Sequence, residues 1–130
     1  MMQSISMMKS TNRRLNAFYD AIRGVVVCVV QEPHGRFHAL AAILVILVGV
    51  LLDASIDDWC WFIVCIGMVI ATEAVNTSIE RLSNRVSKEH HELIRDAKDL
   101  AAGAVLVVSI ASAIIGLLRV WPLLTKYLNL

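Results

Sequence analysis

The sequence has almost no net charge: 12 Lys and Arg stand against 11 Asp and Glu, leaving +1 over 130 residues. Such a balance provides no basic face for a nucleic acid, and the charges sit in blocks between apolar runs rather than along one side. Cysteine is scarce. Cys60 and Cys65 are five residues apart on one expected helix, about 140° round its axis, so they point apart and cannot bridge. Cys28 lies on the side read below as reducing, no zinc spacing is present, and all three read as small packing residues. Internal repeats, linkers and low-complexity tracts are missing. The first apolar stretch comes late and leads on without an A-x-A-like site, which argues against a cleavable signal peptide. No G-x-x-x-x-G-K-[ST] loop and no protein-kinase signature occurs.

What the chain has in excess is apolar residues: 58% are hydrophobic, well above the roughly 45–50% apolar usage of soluble domains, and the mean hydropathy is +0.68. Three runs carry them. Phe37 to Leu52 (FHALAAILVILVGVLL) is free of charge and proline, and Trp59 to about Ile79 (WCWFIVCIGMVIATEAVNTSI) opens on interfacial aromatics and turns polar only in its last two turns. Ala101 to Leu118 (AAGAVLVVSIASAIIGLL) interleaves small residues with large ones. With their flanks, the spans are expected at about 37–52, 59–79 and 99–120, in an all-α membrane protein of one domain over residues 1–130.

Lysine and arginine set the orientation. Lys9, Arg13, Arg14, Arg23 and Arg36 precede the first run, and Arg81, Arg85, Lys88, Arg95 and Lys98 separate the second from the third, whereas Asp53 to Asp58 (DASIDD) has no basic residue. The expected arrangement has the N-terminus in the cytoplasm and the C-terminus outside, with Arg119 and Lys126 a mild exception. Before the first span, residues 12–31 place Leu15, Phe18, Ile22, Val25 and Val29 at steps of three and four, the pattern of an amphipathic helix. Such a helix lies on the inner membrane surface, although a buried packing helix has the same spacing. Pro33 and Gly35 are then expected to break it and turn the chain into the bilayer.

Within the second run Glu73, Asn76 and Glu80 fall at i, i+3 and i+7, one helix face over two turns, and Asn84 continues the line. Interhelical hydrogen bonds account for a buried Asn or Thr well enough. A carboxylate at depth is rarer and marks a pathway or a site. Glu32, just before the first span, and Lys98 and Asp99, at the start of the third, are expected at the depth of the stripe's lower end. Two carboxylates from different helices can hold Mg²⁺ together with substrate phosphates, while a third, deeper one meets a lipid headgroup. The residues alone stop there, and they leave open a small transport or binding subunit whose carboxylates carry protons or cations.

The string EAVNTSIERLSNRVSKEHHELIRDAKDLAAGAVL, Glu73 to Leu106, resembles the signature of the small prokaryotic diacylglycerol kinases, a family that includes the undecaprenol kinases. Glu-x-x-Asn-x-x-x-Glu followed by Ala-Lys-Asp is its core, and the likeness runs back to Arg23-Gly24 and Glu32, about three quarters of the chain. The resemblance implies a surface helix and three spanning helices assembled as a homotrimer in the bacterial inner membrane, with active sites between subunits. It also implies transfer of the ATP γ-phosphoryl group to a lipid hydroxyl, of diacylglycerol or undecaprenol. By the same resemblance Glu73 is the general base that meets the lipid, and Glu32 and Glu80 hold Mg²⁺. Asn76 steadies that face, Lys98 and Asp99 match nucleotide contacts, and Glu89, His90 and His91 match loop positions near the nucleotide. Asn84 departs from an expected acidic residue, Asp20 from an aromatic or His, and Ala102 from a small polar residue. His38 and AKDLAAGAV lean toward the undecaprenol kinase branch.

Overall fold

The computed structural model describes residues 2–86 and 91–129, and the side chains within them from Arg13 onward. Its elements are α1 (Met2–Gln31), α2 (Pro33–Leu51), α3 (Ile56–Val86) and α4 (Glu92–Tyr127), with no strand among the described residues. The fold is all-α, and α2, α3 and α4 are each long and apolar enough to cross a membrane. At 1.5 Å per residue they are roughly 28, 46 and 54 Å long, against about 30 Å of bilayer hydrocarbon. Thus α3 and α4 run on past their apolar stretches, because apolarity marks what lipid must cover and not where backbone hydrogen bonding ends.

Only Glu32 separates α1 from α2. Its backbone is extended (φ −89°, ψ 132°), as the residue before a proline tends to be. Pro33, which lacks an N–H, takes a first-turn position where none is needed. The Glu32 carbonyl accepts from the Arg36 N–H at 2.9 Å, so the new helix starts at once. Gly35 does not break the helix as expected. It is buried inside α2, and a Cβ there would lie 2.1 Å from the Cys28 carbonyl oxygen of α1. The glycine is what lets α2 fold back so closely along α1.

At the other end of α2, Asp53 takes a left-handed conformation (φ 51°) and the Ala54 N–H returns to the Gly49 carbonyl at 2.9 Å. Ser55 then caps α3. Its Oγ accepts from the Asp58 N–H at 3.2 Å, while Asp58 Oδ2 accepts from the Ser55 N–H at 3.1 Å and from its hydroxyl at 2.6 Å. This reciprocal box satisfies donors that the first turn would otherwise leave free. Arg119 of α4 reaches over to Asp57 and Asp58 and stacks on Trp61, 5.5 Å from its ring centre. The basic residue that ran against the charge count thus has acidic partners in the turn it faces.

The interior is small. Phe62 is 1% exposed and meets Trp59 edge-on at 5.9 Å, beside Gly49, where a Cβ would come within 3.1 Å of the Trp59 ring. The broadest packing is between α3 and α4. Many large apolar side chains, among them Leu47, Ile63 and Leu117, face outward; a surface of that kind is covered by lipid or protein.

Candidate active site

The polar half of α3 turns one face inward. Glu73, Asn76 and Thr77 are buried and Glu80 is half-buried, as their three- and four-residue steps along one helix dictate. The ionisable groups that act on Glu73 are His38 and His34 of α2, Glu80 of its own helix, and Glu32. Cys28 of α1 fills the space beside Thr77 and is 2% exposed. Burial, with Glu73 and Glu32 close by, pushes its thiol above the ordinary range, so it remains protonated and acts as a small packing group. Asn76 Oδ1 is buried and has no hydrogen-bond partner among the described residues. A buried acceptor left unmatched costs about 1–3 kcal/mol, and a donor brought by a ligand removes that cost.

Glu32, at the joint of α1 and α2, is carried to the lower part of this face. Its Oε1 accepts from Arg81 Nε at 3.0 Å and from Nη2 at 2.5 Å. One helical turn on, Lys98 Nζ of α4 donates to Asn84 Oδ1 at 3.2 Å. Asp99 turns the other way, exposed, and pairs with Arg95 on its own helix at 3.6 Å. His91 is exposed in front of α4 and makes no side-chain cap bond. Glu89 and His90 lie outside the described residues. The structure therefore brings Glu32, Glu73, Asn76 and Glu80 to one face and sets Lys98 at its edge, while Asp99 pairs with Arg95 and His91 is exposed. No group of three or more metal-binding side chains forms among the described residues; the face carries three carboxylates, Glu32, Glu73 and Glu80, and Mg²⁺ commonly takes one or two together with phosphates and waters.

Above Glu73 an apolar cavity of about 440 Å³ runs between α2, α3 and α4, lined among others by His38, Ala41, Val69, Ile70, Ser109 and Gly116. Ile70 and Val69 are one turn from Glu73, and His38 both lines the cavity and faces that carboxylate. The cavity thus reaches to within one helical turn of a buried carboxylate, and α3 continues from there past half-buried Glu80 to exposed Arg81.

The profile of the prokaryotic diacylglycerol kinase family matches residues 19–120. The chain belongs to that family. Its relatives within the prokaryotic diacylglycerol kinase family include the undecaprenol kinase of Bacillus subtilis strain 168, 40% identical over 111 residues that make up 85% of this chain and 90% of the relative. The diacylglycerol kinase of Escherichia coli strain K12 is 27% identical over 99 residues, 76% of this chain and 81% of that one. The diacylglycerol kinase of Pseudomonas aeruginosa is 32% identical over 95 residues, 73% and 77% of the two chains. By family and relatives the chain is a lipid kinase.

Set in this family, the departures have places. The amide oxygen of Asn84 accepts from the Lys98 ammonium, a contact made without a second charge, while Asp20 and Ala102 are exposed on α1 and α4. Arg81, Thr77 and Cys28 lie beside these residues, and the sequence alone does not mark them as candidates. Arg81 had counted only toward orientation, and its tie to Glu32 spans 49 positions, with no periodicity to reveal it.

Proposed function

We propose that this lipid kinase transfers the γ-phosphoryl group of ATP to the hydroxyl of a long-chain isoprenoid alcohol of the undecaprenol type. The observation that carries the reading is Glu73, 2% exposed, one helical turn beyond Val69 and Ile70 in the lining of an apolar cavity. The 40% identity to a protein named undecaprenol kinase supports the choice of alcohol over diacylglycerol. The lipid chain occupies the cavity, and its hydroxyl meets Glu73, which accepts the proton as the phosphoryl group arrives. A general base so placed contributes by taking the hydroxyl proton as the oxygen attacks, and the apolar walls exclude water that would otherwise intercept the phosphoryl group. Asn76 Oδ1 accepts a donor from the bound substrates and keeps the face in register. Lys98 offers an ammonium to the phosphates, and Asp99, with Glu89, His90 and His91, belongs to the nucleotide side. Little covalent chemistry is required of the protein in such a transfer; positioning and charge neutralisation suffice.

Glu32 and Glu80 would hold Mg²⁺. The ion supplies charge neutralisation for the phosphates. The fit is supported by two carboxylates on the face that carries the unmatched Asn76 oxygen. Replacing Glu32 or Glu80 by Gln removes an anionic ligand from a site with few, and the Mg²⁺ concentration for half-maximal activity is expected to rise by about tenfold or more. Overlaid Mg²⁺ titrations for both variants and the wild type would put the metal elsewhere.

The assembly proposed is a homotrimer in the bacterial inner membrane as a single domain, with α1 on the cytoplasmic surface, the N-terminus inside and the C-terminus outside. The outward-facing apolar side chains support contact with lipid and with neighbouring subunits, and the pairing of Arg119 with Asp57 and Asp58 supports the orientation by cancelling its main exception. Incorporation of labelled phosphate from ATP into undecaprenol and diacylglycerol, presented in parallel to purified protein, tests the reading. A higher kcat/KM for undecaprenol is expected. Preference for diacylglycerol would reassign the acceptor, and incorporation into neither would overturn the function.

A further inference from the structure

Arg81 bonds Glu32 in an unusual way for a stable ion pair. Both its Nε and its Nη2 converge on one oxygen, Oε1, rather than gripping the carboxylate with two parallel bonds. The Glu32 side chain retains 24% of its exposure and that of Arg81 retains 52%. Half-exposed pairs of this kind bind weakly, and the guanidinium sits at the edge of the face where solvent reaches Glu32. Arg81 also follows Glu80 in the chain, turned about 100° from it round the helix, and its contact is with Glu32.

We propose that Arg81 and the divalent cation compete for the Glu32 carboxylate, and that Arg81, once displaced, turns to the phosphates of the nucleotide. The inference rests on the reading of Glu32 as a metal ligand. A cation arriving with charge +2 outbids a single, solvent-exposed guanidinium for the same oxygen. The freed fork of N–H donors then has the incoming phosphates as its nearest anions, a partner whose geometry it matches well. Arg81 thus shields Glu32 from Glu73 and Glu80 before loading and positions the nucleotide after it.

Two opposite signs follow for one substitution, which a purely structural role would not produce. Direct Mn²⁺ binding, followed by the electron paramagnetic resonance of the free ion, is measured on the purified full-length protein without nucleotide. In Arg81→Gln, Mn²⁺ binds more tightly by about two- to sixfold, the factor lost when an exposed pair of ordinary strength no longer competes. In the same variant the KM for MgATP rises by about tenfold, the loss of a charge-assisted hydrogen bond, with kcat little changed. Arg81→Lys keeps the charge without the fork; it restores Mn²⁺ affinity to near the wild-type value but recovers KM only in part. Glu32→Gln serves as the control for the reading beneath the proposal and weakens Mn²⁺ binding. Weakened or unchanged Mn²⁺ binding in Arg81→Gln, alongside weakened binding in Glu32→Gln, would overturn the competition and leave the metal site standing. Unchanged binding in Glu32→Gln would remove the metal site and the competition together. A tighter Mn²⁺ site with an unaltered KM for MgATP would overturn the second half, the turn toward phosphate.

Discussion

Glu73→Gln lowers kcat by about 10²–10⁴-fold, the range a positioned general base contributes, and leaves the melting temperature in detergent at or above the wild-type value. The amide is close in shape to the carboxylate but cannot take a proton from the lipid hydroxyl. It is also cheaper to bury than a charge, and Glu73 is 2% exposed. Folding and turnover therefore separate in this variant, which distinguishes a base from a packing residue. The check is a pair of measurements on the same preparation, lipid phosphorylation and thermal unfolding. A well-folded Glu73→Gln protein that phosphorylates lipid at close to the normal rate would remove Glu73 from the chemistry.

Gly35→Ala produces the largest expected change in stability from the smallest change in atoms. The added methyl would lie 2.1 Å from the Cys28 carbonyl oxygen and 2.8 Å from its carbonyl carbon, inside the contact distance of any real pair. Because the obstructing atoms are backbone, no rotamer change relieves the overlap, and α1 and α2 must move apart. Overpacking of this kind costs about 3 kcal/mol at the upper end of its usual range. Glu32 is the residue between the two helices, so the variant is also expected to lose Mg²⁺ affinity before it loses its fold. Gly24→Ala is the matched control, since a Cβ there meets nothing within 4 Å and alanine is the better helix former. Thermal unfolding of both variants decides the matter; equal melting temperatures would mean that the close crossing of α1 and α2 does not hold in the membrane.

Much of this architecture can be read from residue order alone. Three charge-poor runs imply three crossings because lipid accepts no unpaired backbone, and Glu73 stands out because a carboxylate inside such a run is expensive. Its alignment with Asn76 and Glu80 is a matter of helical arithmetic, and the burial of Glu73 and Asn76 in α3 follows it. Helix ends are less visible. The apolar pattern stops near Ile79 while α3 continues to Val86, because hydrogen bonding along the backbone does not need apolar side chains. Lys98 and Asp99, neighbours in sequence, were expected to work together, but 100° of rotation sends one toward Asn84 and the other toward Arg95. Gly35 read as a breaker since glycine signals both a turn and a close approach; the difference lies in Cys28, on another helix. Arg81 was hidden for the same reason, its partner being the one residue between α1 and α2 that belongs to no helix.

Arg119 fastens α4 to the first turn of α3 through Asp57, Asp58 and Trp61, at the end of α3 remote from Glu73 and Glu80. From Asp58 to Glu80 the helix rises roughly 33 Å. The two helices are consequently arranged like the arms of a pair of tongs, riveted at one tip, with Glu80, Asn84 and Lys98 toward the other. A change of about five degrees in their crossing angle at the rivet opens the far tips by roughly 3 Å over that rise, about the length of one hydrogen bond. Lys98 on one arm and Asn84 on the other, 3.2 Å apart, sit where that opening is felt. A cluster remote from Lys98 and Asn84 thereby bears on the distance between them.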